Sequence, residues 1–233
     1  MRKIALIVSC EHAVDTVPEI YQQYFASYSA LLQTHRGIDF GALTIAKHLQ
    51  SIFGCDFIQA QATRLLIDCN RSLRHPRCFS EISTKFSKEQ KRQLIEQFYL
   101  PFRHSVEQLI GQHIAEGRQV LHLSIHSFTP MWMDIVRNAD IGLLYDPRRD
   151  SERNLARQWQ QQLKLYSNTF RIRLNYPYRG VSDGFTSTLR EQFADKDYAG
   201  LEVESNQTLI ADEKSLFSLA DILALTLKAV INH

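Results

Sequence analysis

Five short apolar runs in this chain each stop abruptly on polar groups. Residues 3–10 lead into Glu11-His12, and 62–67 into Asp68-Cys69-Asn70-Arg71. Residues 119–125 end on His126-Ser127, 141–144 on Tyr145-Asp146, and 199–203 on Glu204-Ser205-Asn206. Apolar runs of this length bounded by turn-forming residues read as buried strands. In open α/β sheets, ligands bind in the crevice beyond the carboxyl ends of the strands. Five polar strand ends therefore predict one site assembled from distant parts of the chain.

Helical spacing fills the gaps between these runs, which argues for an α/β layered fold. A helix is predicted over residues 21–32, opened by Pro18. Another covers 37–53, with Ile38, Ala42, Ile45, Leu49 and Phe53 on one side and Gly54 as its C-terminal cap. Residues 55–67 are expected to be extended, and 75–86 to be an irregular connection. A long helical region over 88–116 should be kinked or split by Pro101. Helices are also predicted over 151–166, 186–193 and 215–231, with a further strand over 170–178. No linker or internal repeat is evident. The expectation is one α/β domain over residues 1–233, with a central mixed, largely parallel sheet flanked by helices.

Formal net charge is only +2 over 233 residues, without a long basic block, which argues against nucleic acid or an anionic membrane as a partner. No apolar stretch approaches the roughly 20 residues that span a bilayer. The N-terminal run leads straight into Glu11-His12 with no small-residue cleavage site, so it reads as the first strand, and a cytoplasmic location is expected. Cys10, Cys55, Cys69 and Cys78 form no CxxC pair and read as free thiols. GxGxxG and GxxxxGK motifs are absent, which disfavours dinucleotide enzymes and NTPases, and the GxSxG match at Gly180-Val-Ser-Asp-Gly184 falls in a turn-rich loop and is not read as a nucleophile elbow.

His12 and His126, each at a strand end, are candidate metal ligands, since neutral imidazole suits zinc. A carboxylate should complete the set, from Asp15 in His12-Ala-Val-Asp15 or from Asp39 at the predicted start of a helix. His122 shares a strand face with His126 but reads as a satisfied interior histidine. Asn70-Arg71 suits a substrate carboxylate, with Asp68 orienting the arginine or supporting the metal. Glu202 and Glu204 lie on one face of their strand. Glu202 reads as a solvated edge-strand residue, and Glu204, nearer the end, as a general base. Ser127, Tyr145, Tyr178 and Arg179 are expected in the pocket wall, with Arg190 a weaker candidate.

The ordered set Ser9-Cys-Glu-His12, His35-Arg-Gly-Ile-Asp39-Phe-Gly, Arg64-Leu-Leu-Ile-Asp68-Cys-Asn70-Arg71, His126-Ser-Phe-Thr-Pro130 and Glu202-Val-Glu204-Ser-Asn206 resembles the N-formylglutamate amidohydrolase family. The resemblance runs over about residues 4–207. It implies a phosphorylase/hydrolase-like fold similar to zinc carboxypeptidases and to the succinylglutamate desuccinylase and aspartoacylase group. It further implies a zinc-dependent amidohydrolase cleaving an N-acyl group from a small-molecule amino acid. Zinc would be held by His12, His126 and Asp39, with Asp15 as the alternative acid. The substrate carboxylate would be held by Asn70 and Arg71, and Glu204 would be the general base. Two departures stand out. The wider group has HxxE where this chain has HxxD at 12–15, and Gln207 occupies a position where the formylglutamate enzymes carry arginine. A peptidase or esterase of the same fold, or a non-catalytic binder of an acidic metabolite, is the alternative reading.

Overall fold

A computed structural model describes residues 2–210 and 212–231. Its strands are β1 (Ile4–Cys10), β2 (Asp56–Gln59), β3 (Gln119–Phe128), β4 (Met131–Trp132), β5 (Ile135–Val136), β6 (Ile141–Leu144), β7 (Ile172–Leu174) and β8 (Tyr198–Asn206). Six of them form one sheet in the order β2-β1-β3-β8-β6-β7, while β4 and β5 make a separate hairpin. Neighbours in the large sheet are parallel except at one seam, where β6 runs antiparallel to β8. The predicted mixed, largely parallel α/β sheet is present.

The helices are α1 (Glu19–Phe25), α2 (Ser29–Leu32), α3 (Ala42–Phe53), α4 (Lys88–Leu94), α5 (Leu100–Ala115), α6 (Asp150–Tyr166), α7 (Phe185–Gln192) and α8 (Glu213–Ile231). Alternation along the strands gives the sheet two apolar faces. Leu6 and Val8 of β1, Leu121, Leu123 and Ile125 of β3, and Leu201 and Val203 of β8 share a core with Leu49 of α3, Trp159 of α6 and Leu223 of α8. On the opposite face Ile7, Val120 and Tyr198 meet Phe102, Val106 and Ile110 of α5 and Phe185 and Leu189 of α7. A third cluster of Tyr21, Phe25, Leu66, Phe86, Leu94 and Tyr99 flanks the sheet. None of the described helices is long and apolar enough to cross a membrane.

Gly54 ends α3 as expected, at φ +59°, with its N–H on the Gln50 carbonyl at 2.8 Å. The 88–116 region is split, α4 and α5 being joined by a wider π-helical turn over Ile95–Tyr99 just before Pro101. A proline ring cannot be accommodated in an unbroken helix interior. Two expectations are corrected. Residues 62–67 do not form a strand: extended structure is confined to β2, and the run turns at Thr63–Leu66, burying Leu65, Leu66 and Ile67 in the flanking cluster. An apolar run buried on all sides carries no period that separates a strand from a turn. The helix expected from residue 37 begins at Ala42, because Gly41 is in the left-handed region at φ +72°. Asp39 thus sits in a turn, its N–H on the His12 carbonyl at 3.1 Å.

Leu123 is fully buried on central strand β3. Leu123→Ala should destabilise the fold by about 2–5 kcal/mol, measured by denaturant unfolding; a loss below about 1 kcal/mol would contradict the assigned core.

Candidate active site

β1, β3 and β8 run parallel, so their carboxyl ends lie at the same edge of the sheet. The register sets Ser9 opposite Ser124, Ser124 opposite Glu202, and His126 opposite Glu204. These side chains emerge on the α5/α7 face, where Ile7, Val120 and Tyr198 give way to polar groups toward the strand ends. Glu11 and His12 continue from β1, and the Asp39 turn is tied to the His12 backbone.

The hydrogen-bond chain fixes the two histidine rings. The Ser9 and Ser124 hydroxyls donate to the Glu11 carboxylate at 2.8 and 2.7 Å. Each serine oxygen then accepts from a ring Nε2, of His122 and His126 respectively, both at 2.8 Å. His12 Nε2 faces an acceptor too, Asp68 Oδ1 at 2.8 Å. Protons assigned by these partners sit on Nε2 of His12 and His126, leaving both Nδ1 atoms directed inward. Those atoms lie 3.2 and 2.9 Å from the same oxygen, Asp39 Oδ2. Three acceptors thus converge on one point, and the residues could together hold a metal ion.

The electrostatics follow from this convergence. Burial would raise the Asp39 carboxyl, but His12 and His126 hold it well below the usual range. Burial likewise opposes charge on Asp68, which Arg64 and His12 keep ionised. His126 is disfavoured as a cation by burial, yet its bond to Asp39 and the charge of Glu11 lift it to about 10. His12 also rises, as Asp68 and Asp39 outweigh burial and Arg64. Glu204 behaves oppositely: burial, countered in part by His126, raises it to about 7, and its Oε2 has no hydrogen-bond partner.

A cavity of about 970 Å³ opens over this cluster, lined among others by His12, Asp39, His126 and Glu204. Asn70, Arg71, Ser127, Tyr178 and Arg179 also line it, as expected. Arg71 Nη1 donates to the Asp183 carbonyl, and Asn70 Oδ1 accepts the Phe185 N–H at 2.8 Å. The structure places other candidates elsewhere. Tyr145 is in the core on the far face, because β6 runs opposite to β8 and its carboxyl end points away from the site edge. Asp15 accepts from Gln33 outside the cluster at 2.6 Å. Glu202 is buried on an interior strand and accepts from Thr186 at 2.6 Å, so it is not a solvated edge residue. Arg190 is bound to Glu152 at 2.9 Å in a structural ion pair.

Three further side chains take part, to which the sequence alone assigns no role. Glu11 anchors both serines, and the signal lay in its place directly after the first strand. Arg64 bonds Asp68 at 2.9 Å and lies 3.1 Å from His12 Nδ1, four residues before the acid it pairs with. Arg137 lines the cavity from the residues leading into β6. At the site itself Gly142 is required, since a Cβ there would come within 2.1 Å of the Tyr176 carbonyl oxygen.

Fold and site together are those of an α/β domain with a buried His-Asp-His cluster beneath a cavity at the carboxyl edge of its sheet. The chain belongs to the N-formylglutamate amidohydrolase family, whose model matches residues 4–211. A gene product of Agrobacterium tumefaciens of known crystal structure is similar at 28% identity and a TM-score of 0.84, over 99% of this chain and 91% of that one. The fold is also that of an N-formylglutamate amidohydrolase from Ralstonia eutropha, at 16% identity and a TM-score of 0.72, over 100% of this chain and 94% of that one. No curated protein matches the sequence significantly.

His122 is fully buried, bonded to Ser9 and at 3.0 Å to the Tyr198 hydroxyl, and burial lowers it to about 4 from 6.5. Between those values the unfolded chain takes up a proton that the folded chain refuses. Stability should therefore fall as pH drops through this window, by up to ~1.4 kcal/mol per pH unit from this group. His122→Gln should flatten the slope in urea unfolding series; an unchanged slope would contradict the assignment.

Proposed function

We propose that this chain is a zinc-dependent amidohydrolase that removes an N-acyl group, of the N-formyl type, from an amino acid. The observation that carries this reading is the convergence of His12 Nδ1, His126 Nδ1 and Asp39 Oδ2. In the protein alone, the positive charge that balances this convergence comes from the raised His126 and from Arg64 Nη1, 3.1 Å from His12 Nδ1, and a metal ion would supply it in their place. Two nitrogens and one carboxylate are a donor set that suits zinc, with room for a further ligand. Asp68 and Glu11 support the rings from behind, as carboxylates do for metal-bound histidines. Zinc so held would supply Lewis-acid activation of the amide carbonyl and of water.

The chain's own groups cover the remaining chemistry. Glu204, poised near neutrality with Oε2 free, takes the proton of the attacking water and returns it to the leaving nitrogen. Arg64, held by Asp39 and Asp68, places a fixed positive charge beside the site where an oxyanion develops. Asn70 and Arg71 hold a substrate carboxylate, with Ser127 and Arg179 in the adjoining wall. One observation favours a second reading, a carboxypeptidase-like peptidase: a cavity of about 970 Å³ exceeds what a formyl amino acid fills. Turnover of dipeptides faster than of formyl amino acids would favour it.

Glu204→Gln should lower kcat by about 10²–10⁴ in assays of amine release from N-formyl amino acids, with zinc content unchanged. Full activity in that variant would remove the assigned role. Arg71→Ala should raise KM for N-formylglutamate about tenfold or more with a smaller change in kcat. An unchanged KM would exclude Arg71 from the carboxylate site.

A further inference from the structure

An amide has two sides, and the hydrolytic reading assigns only one of them. The amino-acid side ends at Asn70 and Arg71, which are tied to the α7 face of the sheet edge. Asn70 Oδ1 accepts the N–H of Phe185, the first residue of α7, and Arg71 donates to the Asp183 carbonyl. With the scissile group at His12, His126 and Asp39, the acyl side lies beyond that cluster, away from α7. The chain that leaves His126 runs there through Ser127, Phe128 and Thr129, all in the cavity wall, into the β4–β5 hairpin. Trp132 of the hairpin also lines the cavity and stands edge-on to His35 at 5.8 Å, in the turn that leads to Asp39 and α3.

This side of the cavity is apolar. Five of the six residues at 131–136 are hydrophobic and all six are exposed, Met133 by 78% and Ile135 and Val136 by 69% each. The hairpin pairs with no other described strand. A contiguous exposed apolar patch beside a cavity marks a binding surface. Tyr178, Trp132 and Phe128 are gathered around Arg137, with ring centres 5.0, 5.5 and 5.8 Å from its guanidinium carbon. Arg137 is buried and, among the described residues, forms no ion pair; its Nη1 makes only two contacts of 3.4 Å, to oxygens of Thr129. The rings offer surface to an apolar chain, while a cation with no acid to offset it repels any positive charge placed among them.

We propose that the site takes an apolar, uncharged acyl group larger than formyl, seated against Trp132, Tyr178 and the β4–β5 hairpin. This rests on the hydrolytic reading and deepens it by naming the acyl chemistry. Formyl becomes the smallest acyl group accepted. The aminoacyl group of a dipeptide is disfavoured, because its ammonium would meet Arg137.

The test measures Kd by calorimetry in the Glu204→Gln background, to limit turnover, for N-formyl-, N-butanoyl- and N-hexanoyl-L-glutamate. Affinity should rise along the series, the hexanoyl compound binding about tenfold tighter than the formyl or more. Trp132→Ala should cut that preference severalfold, and so should Ile135→Ser, a change at an exposed position. A matched pair then isolates the charge: N-(4-methylpentanoyl)-L-glutamate and L-leucyl-L-glutamate differ only by the ammonium. The blocked compound should bind about tenfold tighter, and Arg137→Met should narrow the gap. A flat series, a preference undiminished in both hairpin variants, or equal binding within the matched pair overturns the proposal; binding of N-formylglutamate leaves the hydrolytic reading standing. A flat series together with a dimer that Ile135→Ser dissociates gives the hairpin to a second copy of the chain, and likewise overturns it. Failure of every compound to bind overturns both readings.

Discussion

The meeting of His12, His126 and Asp39 at a single carboxylate oxygen is the constraint on which the rest of the site depends. Each ring is turned by a carboxylate behind it, His12 by Asp68 directly and His126 by Glu11 through Ser124. Removing water from so many charged and polar groups costs several kcal/mol for each ion left uncompensated. Two parallel strands and a backbone-tethered turn hold the three donors together against that cost. Rigid strand ends, rather than mobile loops, therefore define the geometry.

The polar ladder on the α5/α7 face is the continuation of this arrangement. Ser9, His122, Ser124, His126, Glu202 and Glu204 occupy a face that is apolar nearer the strand starts, at Ile7, Val120 and Tyr198. A sheet that changes character along its own strands leads from a packed core into a reactive edge. Glu204, in the wall of the cavity, ends this ladder with a buried oxygen that has no partner, and burial explains its shift toward neutrality.

Much of this was legible in the sequence. β1, β3 and β8 each carry a short apolar run and a polar terminus, and these runs are enough to set His12, His126 and Glu204 at strand ends on one edge of the sheet. Spacing alone leaves Asp15 and Asp39 both open, and it places Asp39 in a helix that Gly41 delays by a conformation composition does not reveal. What escaped was strand direction. Nothing local to 141–144 distinguishes a parallel strand from an antiparallel one, so Tyr145 was assigned to the wrong edge. The same reversal brings the residues before β6, Arg137 among them, to the site. Glu202 was misjudged because sheet order, which makes β8 an interior strand, is a long-range property.

The most direct test of this account is a zinc titration of metal-stripped protein, followed by calorimetry, in the parent chain and in Asp39→Asn. The account predicts one zinc per chain in the parent. The variant, which keeps the shape but loses the charge on which both Nδ1 atoms converge, should bind at least about tenfold more weakly. No zinc binding in the parent, or equal affinity in the two proteins, would contradict it.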